Sequence, residues 1–241
     1  MNMSPYPKPF NSAHVRAVTV KILLIVGAVV TGIFFVAEAL SLAFPFTDDQ
    51  ALDENPMGAA VTLLIGLIGI LVLLIYVVTV VFYLMWLFRA HNNLHAFDPS
   101  CRTNYSAGWA VGSFFVPFVN LVVPYRAVKE VWQKSGPPDV LAEPGPPASF
   151  ALWWTFWLLC SFAGRLSMRL SFNENVAEST ATQVSMLASA LSIIAAFFAY
   201  LVVDAIDKKQ EETSRRLKLV GFAGPPPPPA NLAMPDVVTL R

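Results

Sequence analysis

Between Met57 and Phe88 the chain runs for 32 residues without a charged side chain. At about 1.5 Å per helical residue, such a run exceeds the roughly 30 Å of a bilayer's hydrocarbon core, so it reads as a membrane-spanning helix whose excess must tilt or protrude. Asn55 and Pro56 mark its start, a capping residue followed by the proline suited to a first helical position. Phe82, Tyr83, Trp86 and Arg89 mark its end, an aromatic girdle with a cationic anchor. Three more runs have this character: 17–44, interrupted only by Lys21 and Glu38; 149–171, with Arg165 and Arg169 near its end; and 181–203, closed by Asp204. Composition agrees, since 56% of the 241 residues are apolar and 13% charged, against roughly 45–50% and about 25% in a soluble domain. Sixteen basic residues balance sixteen acidic ones, which argues against a nucleic-acid partner, and two cysteines are too few for a disulfide framework. The first run is too long for a cleaved signal peptide and a second follows it, so it is expected to be retained.

A fifth apolar stretch, 107–125, is also free of charge but contains Pro117, Asn120 and Pro124. Two missing backbone donors and an added amide make it a poor continuous helix. Basic residues collect on the cytoplasmic side of membrane proteins, and this decides how the stretch is threaded. If it enters and returns, 14 of the 16 Lys and Arg face the cytoplasm and only Arg165 and Arg169 lie outward; if it crosses, the split is 7 against 9. A re-entrant or interfacial segment is therefore expected, with both termini cytoplasmic, Asp48, Asp49, Asp53, Glu54, Glu174 and Glu178 outside, and all six tryptophans near the inner face. Irregular backbone at that depth needs protein or water around it. Gly108 and Gly112, four apart, offer a face on which another helix could approach closely.

The expected organisation is thus a proline-rich tail over 1–16, a membrane domain over 17–212 with a proline-rich linker at 136–148, and a second proline-rich cytoplasmic tail over 213–241. The tails read as extended and solvated. The fold class expected is an all-α integral membrane protein, with four transmembrane helices plus one Pro-broken re-entrant or interfacial segment.

Two passages, WLFRAHNN from Trp86 and YSAGWAVGSFFVPFVNLVVPYRAVKEVW from Tyr105, resemble the bacterial membrane family catalogued as domain of unknown function 4328. Trp153-Trp154 and Gln210 are similar to its pattern too, so the likeness runs from about Leu84 to Gln210, with a weaker hydropathic likeness through the first span. The resemblance implies a multi-pass membrane protein with no assigned activity, substrate or cofactor. It gives weight to Trp86, Arg89, Asn93, Trp109, Pro117, Asn120, Pro124 and Trp132 as signature positions, without assigning them roles. His91 and Cys101 are not part of that pattern.

Several constellations stand out. Glu38 and Arg165 each lie about 25 Å from the inner end of their runs, and an ionised group in the bilayer costs at least about 2.5–3.5 kcal/mol, so an intramembrane ion pair is expected, with Arg169 as the alternative partner and snorkelling to the outer surface as the other outcome. Arg89, Asn93, Asn120, Arg126 and Asp204 are expected to converge at the inner surface, where an arginine fork suits a carboxylate, a phosphate or a lipid headgroup. The bland alternative makes Arg89 and Arg126 ordinary anchors. His91 and His95, four apart, are weak metal candidates flanked by Arg89 and Arg102. Ser185, Ser189, Ser192, Ala196 and Ala199 form a small-residue seam for close packing. Asn104-Tyr105-Ser106 matches a glycosylation acceptor but is expected on the cytoplasmic side. There is no nucleophile elbow, phosphate-cradling loop or paired carboxylate within a span, so neither an enzyme nor a cofactor is expected. The function expected is that of a non-enzymatic scaffold whose partners are the bilayer, an anionic lipid or another protein; the alternative is a small transporter or channel-like protein with a polar path at the re-entrant segment.

Overall fold

The computed structural model describes residues 9–43, 56–137 and 145–218. The expectations for both proline-rich tails beyond these, for the acidic stretch at 48–54 and for most of the 136–148 linker lie outside the described residues. Among the described residues there are six α-helices and no strand: α1 (His14–Ala43), α2 (Pro56–Phe97), α3 (Ala107–Gly112), α4 (Val123–Lys134), α5 (Ser149–Ser171) and α6 (Glu178–Arg216). Three of them, α1, α2 from Met57 onward and α6, are long and apolar enough to cross a membrane. The shorter α5 has 23 residues and carries both Arg165 and Arg169.

The long helices pack in the order α5, α6, α1, α2, with each touching the next and no extensive contact between α2 and α5. The α5–α6 pair closes through Ser167, whose hydroxyl donates to the Ala181 carbonyl at 3.3 Å. Small residues let these backbones approach, and Ala181, Ser189, Ala195 and Ala199 of α6 are buried. Between α1 and α2 glycine does the same work: a Cβ on Gly69 would come within 3.3 Å of the Phe34 ring, and one on Gly27 within 3.5 Å of Ile75. Elsewhere α1 and α2 are apolar all round yet exposed, as at Ile25, Ile33, Leu67 and Leu74. Such an exposed apolar belt calls for a lipid or protein neighbour.

The densely packed core sits at one end of the bundle, where α1 begins and α2 and α6 finish. We call this the polar end. At 42 residues α2 spans about 63 Å and runs well past the apolar stretch that ends at Phe88, carrying His91, Asn93 and His95 into that core.

Residues 107–134 form a helical hairpin against the polar end. Ser106 caps α3, its hydroxyl accepting from the Trp109 N–H at 3.1 Å. Two 3-10 turns, Ser113–Phe115 and Val119–Leu121, join α3 to α4, and Pro124 occupies the first turn of α4, where its missing N–H is not needed. At the tip the Pro117 carbonyl accepts from the Val119 N–H at 2.7 Å across Phe118, whose φ is 63°. That is a γ-turn of the strained, positive-φ kind. The two arms return to one place: Lys134 donates to the Arg102 carbonyl, and Glu130 accepts from the Asn104 N–H at 2.7 Å. Gly108 and Gly112 meet no neighbour, because a Cβ on either would find open space; the close helix approach expected there is absent.

Candidate functional site

The polar end contains three adjoining arrangements. The first is an amide network. Gln210 of α6 donates to the Ala90 carbonyl of α2 at 2.8 Å and to the Ser135 hydroxyl at the end of α4 at 3.0 Å, while its own oxygen accepts from the Asn93 amide at 3.2 Å. The Thr213 hydroxyl donates to the Ser135 carbonyl at 2.8 Å, and the Asn11 N–H donates to Asn93 Oδ1 at 3.4 Å. Asn93, Ser135, Gln210 and Thr213 are all buried. A buried amide is tolerated when its donors and acceptors are paired, and this set ties α2, α4 and α6 into one body.

The second arrangement is ionic and links α1 to α6. Lys21 reaches Asp204 at 3.0 Å and Asp207 at 3.5 Å, His14 Nδ1 lies 2.9 Å from Asp207, and Lys208 lies 2.7 Å from Asp204. Asp207 is almost fully buried, and Lys21 and His14 supply its carboxylate with partners in place of water. On the other flank Glu130 of α4 is buried, bonded to Lys134 at 2.7 Å through one oxygen while the other has no partner. His91, also buried and unpartnered at Nε2, lies near it.

The third arrangement is aromatic. Tyr83 of α2 meets both Trp86 of its own helix and Trp153 of α5, and Phe114 of the hairpin stands edge-on to Tyr83, Trp154 and Trp157 at 6.1–6.4 Å between ring centroids. Trp154 stacks on Trp157 at 4.7 Å, and its indole N–H donates to the Leu121 carbonyl at 3.0 Å, pinning the hairpin to α5. Trp132 of α4 lies between Phe150 and the Lys209 ammonium, which sits 3.8 Å above its ring. Below Phe114 and Phe115, the gap between α2 and α5 opens as a cavity of about 490 Å³ floored by Ser192 and Ala196 of α6.

The residues singled out in the sequence are distributed among these arrangements. Asn93 joins Gln210, and Asp204 joins Lys21; no hydrogen bond or ion pair links either to Arg89, Asn120 or Arg126. The five do not converge as expected, because Asn93 faces α6, Arg126 is exposed on α4, and Asn120 sits in the 3-10 turn near the hairpin tip. Trp86 is fully buried, Pro124 is buried in α4, and Trp109 and Pro117 are exposed on the hairpin. Glu38 and Arg165 are not brought together either: Glu38 is buried with one oxygen unpartnered and Ser185 beside it, whereas Arg165 is exposed over the Phe162 ring. His95 is half-buried one turn beyond His91. His14, Glu130, Ser135, Asp207 and Thr213 were not legible as site residues, since none departs from an ordinary polar position in sequence. Lys21 and Asp204 did carry a signal, each being a single charge at the same end of an apolar run.

The sequence profile described as Domain of unknown function (DUF4328) matches residues 48–208, well over half of the chain. The chain belongs to this family. Neither the curated proteins nor the solved structures yield a match. The DUF4328 match takes in all of α2, the hairpin and α5, together with α6 as far as Lys208, and so includes every ring of the aromatic arrangement while Lys209 falls just beyond it. It leaves out α1 and stops two residues short of Gln210. Asp204 and Asp207 thus fall inside DUF4328 while their partners His14 and Lys21 fall outside it.

Proposed function

We propose that this DUF4328 protein is a multi-pass protein of the bacterial inner membrane, spanning with α1, α2, α5 and α6, and that its 107–134 hairpin dips into the cytoplasmic leaflet and engages lipid without chemistry. The observation that carries this reading is the hairpin itself. Its two arms are tied together at Arg102–Lys134, while its tip presents Phe115 and Phe118 at 70% and 86% exposure. Large aromatics on a strained, outward-facing turn suit an interface between water and hydrocarbon. For α5, 23 residues give about 35 Å, enough for a bilayer, and it lies along α6 with its two arginines near the end away from the polar core. The charge distribution supports placing the polar end in the cytoplasm.

Sidedness of thiol labelling tests the reading. In a Cys160→Ala background, native Cys101 is compared with Gln133→Cys lacking Cys101, the first just before the hairpin and the second in its last turn. Burial pushes the Cys101 thiol up, with Asp98 and Glu130 adding to the shift against Lys134, so labelling belongs at alkaline pH, where the thiolate forms. Both sites should label from the cytoplasm, and a spin label at Phe118→Cys should be reached by oxygen and shielded from aqueous nickel. Labelling from opposite faces would make the segment a fifth span and end the proposal.

A transport role is the second reading. It is favoured by Glu38, buried with a free carboxylate oxygen beside Ser185, and by a cavity of about 270 Å³ that begins about two turns back along α1 at Thr31 and is also lined by Tyr76, Thr79 and Ser192. It requires Ser189→Cys to react with a water-soluble thiol reagent.

A further inference from the structure

The outward face of the hairpin carries charge that the fold does not use. α4 is amphipathic: Ala127, Val128, Glu130 and Val131 are buried, whereas Arg126 and Gln133 are exposed and Lys129 is half-buried. At about 3.6 residues per turn, Val122 at its cap, Arg126, Lys129 and Gln133 fall on one stripe of that helix. Val122 belongs with Phe115, Phe118 and Leu121 to the exposed apolar tip, so the stripe passes from apolar to basic as it leaves the tip. Between Asp98 and Asp139 there are four basic residues and a single acid, Glu130. That acid is buried and taken by Lys134 and the Asn104 N–H. Lys21, Lys134, Lys208 and Arg216 each have a carboxylate partner. Among the described residues Arg126 and Lys129 have no hydrogen bond or ion pair. The Lys209 ammonium, 3.8 Å above the Trp132 ring, adds a further positive charge beside α4.

We propose that Arg126 and Lys129 bind the phosphates of anionic phospholipids, so that the hairpin lodges its apolar tip where net-negative lipid is available. The inference rests on the hairpin reading above and names the lipid class that the hairpin engages. Depth agrees. At about 1.5 Å per residue Arg126 lies roughly 6 Å and Lys129 roughly 10 Å along α4 from Val122, and the headgroup layer beyond the hydrocarbon is about 5–8 Å thick. With the tip in hydrocarbon, both cations stand at the level of the phosphates, which their long side chains can reach. Arginine offers a planar fork to two phosphate oxygens, and lysine a compact charge. A zwitterionic headgroup brings its own ammonium, which offsets the attraction of its phosphate, so two cations with no acid beside them on the exposed stripe select a net-negative headgroup. The recognition is electrostatic and weakens as salt is added. No covalent step is involved.

The test uses the full-length protein in liposomes, carrying Cys101→Ala, Cys160→Ala and a spin label at Phe118→Cys. Collision with oxygen against aqueous nickel gives the ratio of inserted to withdrawn tips, in phosphatidylcholine alone and in phosphatidylcholine mixed with phosphatidylglycerol. Phosphatidylglycerol should raise that ratio at low salt, and added sodium chloride should remove the gain. Arg126→Gln and Lys129→Gln should each lower the ratio about fivefold in the mixture, the effect of one cation at an anionic surface, and change nothing in phosphatidylcholine. Arg126→Lys, which keeps the charge, should keep the gain, and Arg216→Gln, whose cation is already paired with Glu212, should leave the ratio unchanged. Folding is judged by thermal unfolding, and should a Gln variant fail it, the salt dependence of the parent decides. The inference is overturned by equal insertion in the two lipids, or by a phosphatidylglycerol gain that survives in a folded Arg126→Gln, Lys129→Gln double variant. It is overturned as well if inorganic phosphate withdraws the tip at an ionic strength where chloride does not, which would mark a site for soluble phosphate. Equal insertion in both lipids would leave the hairpin reading standing, whereas a label open to nickel in both would defeat the two together.

Discussion

Gln210 engages three partners from two other helices, which makes it the residue whose loss the polar end should feel most. Gln210→Leu removes the partner of the buried Asn93 amide and is expected to destabilise the detergent-solubilised protein by about 1–3 kcal/mol, read as a lowered Tm. Arg126→Ala, at an exposed position, should stay within about 0.5 kcal/mol of the parent. Equal effects from the two would mean that the network contributes nothing. Glu38 and Arg165 make a similar contrast. Because no ion pair joins them, Glu38→Gln should fold at parental yield and Arg165→Ala should not change its Tm, whereas a dependence of either on the other would restore the pairing expected from depth alone. Depth along a helix is legible in a sequence, but the direction in which a side chain faces depends on which neighbour its helix chooses. Glu38 faces Ser185 and Arg165 faces outward for that reason. Asn93 and Gln210 were both visible as members of a family pattern, yet their contact was not, since 117 residues separate them and neither carries a charge to announce a partner.

At the scale of the element, the hairpin owes its shape to where its prolines fall. Pro117 ends the α3 arm and Pro124 begins α4, so the chain between them must turn, and the tightest part of the turn falls on Phe118 at a φ that an L side chain disfavours. Such a conformation costs about 1–2 kcal/mol for a residue with a Cβ. Phe118→Gly should therefore raise the stability of the protein in detergent by about 1 kcal/mol, while in liposomes the hairpin, deprived of its most exposed ring, should become more accessible to aqueous protease. A rise in detergent stability without any change in liposomes would show that Phe118 has no dealings with the bilayer. That the segment is a poor continuous helix was legible from Pro117, Asn120 and Pro124. The tie between its arms was less so, because it depends on Lys134 reaching a backbone carbonyl, an acceptor that every residue carries and that sequence cannot single out. The helices themselves are legible because charge-free runs leave few choices, but the extension of α2 to Phe97 and of α6 to Arg216 is held by the amide network and the ionic cluster, which are tertiary facts.

For the molecule as a whole, the family match and the fold do not share a boundary. DUF4328 begins at residue 48, yet α1, which precedes it, packs against both α6 and α2 and supplies Lys21 and His14 to two aspartates inside the match. Without α1, Asp207 would lose both His14 and Lys21, and Asp204 would lose Lys21 and keep Lys208. Removing one member of a buried ion pair costs about 3–5 kcal/mol, comparable with a large share of a domain's net stability of roughly 5–15 kcal/mol. A chain beginning at residue 48 is therefore expected to reach the membrane and be degraded, and co-expression of residues 1–47 as a separate peptide should restore its accumulation, since the missing interactions lie between helices. Lys21→Met on that peptide should abolish the rescue, and pairing it with Asp204→Asn and Asp207→Asn should recover part of it by removing the charges that Lys21 neutralises. If the chain from residue 48 accumulates and unfolds at the parental Tm on its own, α1 is an accessory helix and the ionic cluster is surplus to the fold. If it requires α1 whatever residue stands at 21, the requirement comes from apolar packing at Gly27 and Gly69.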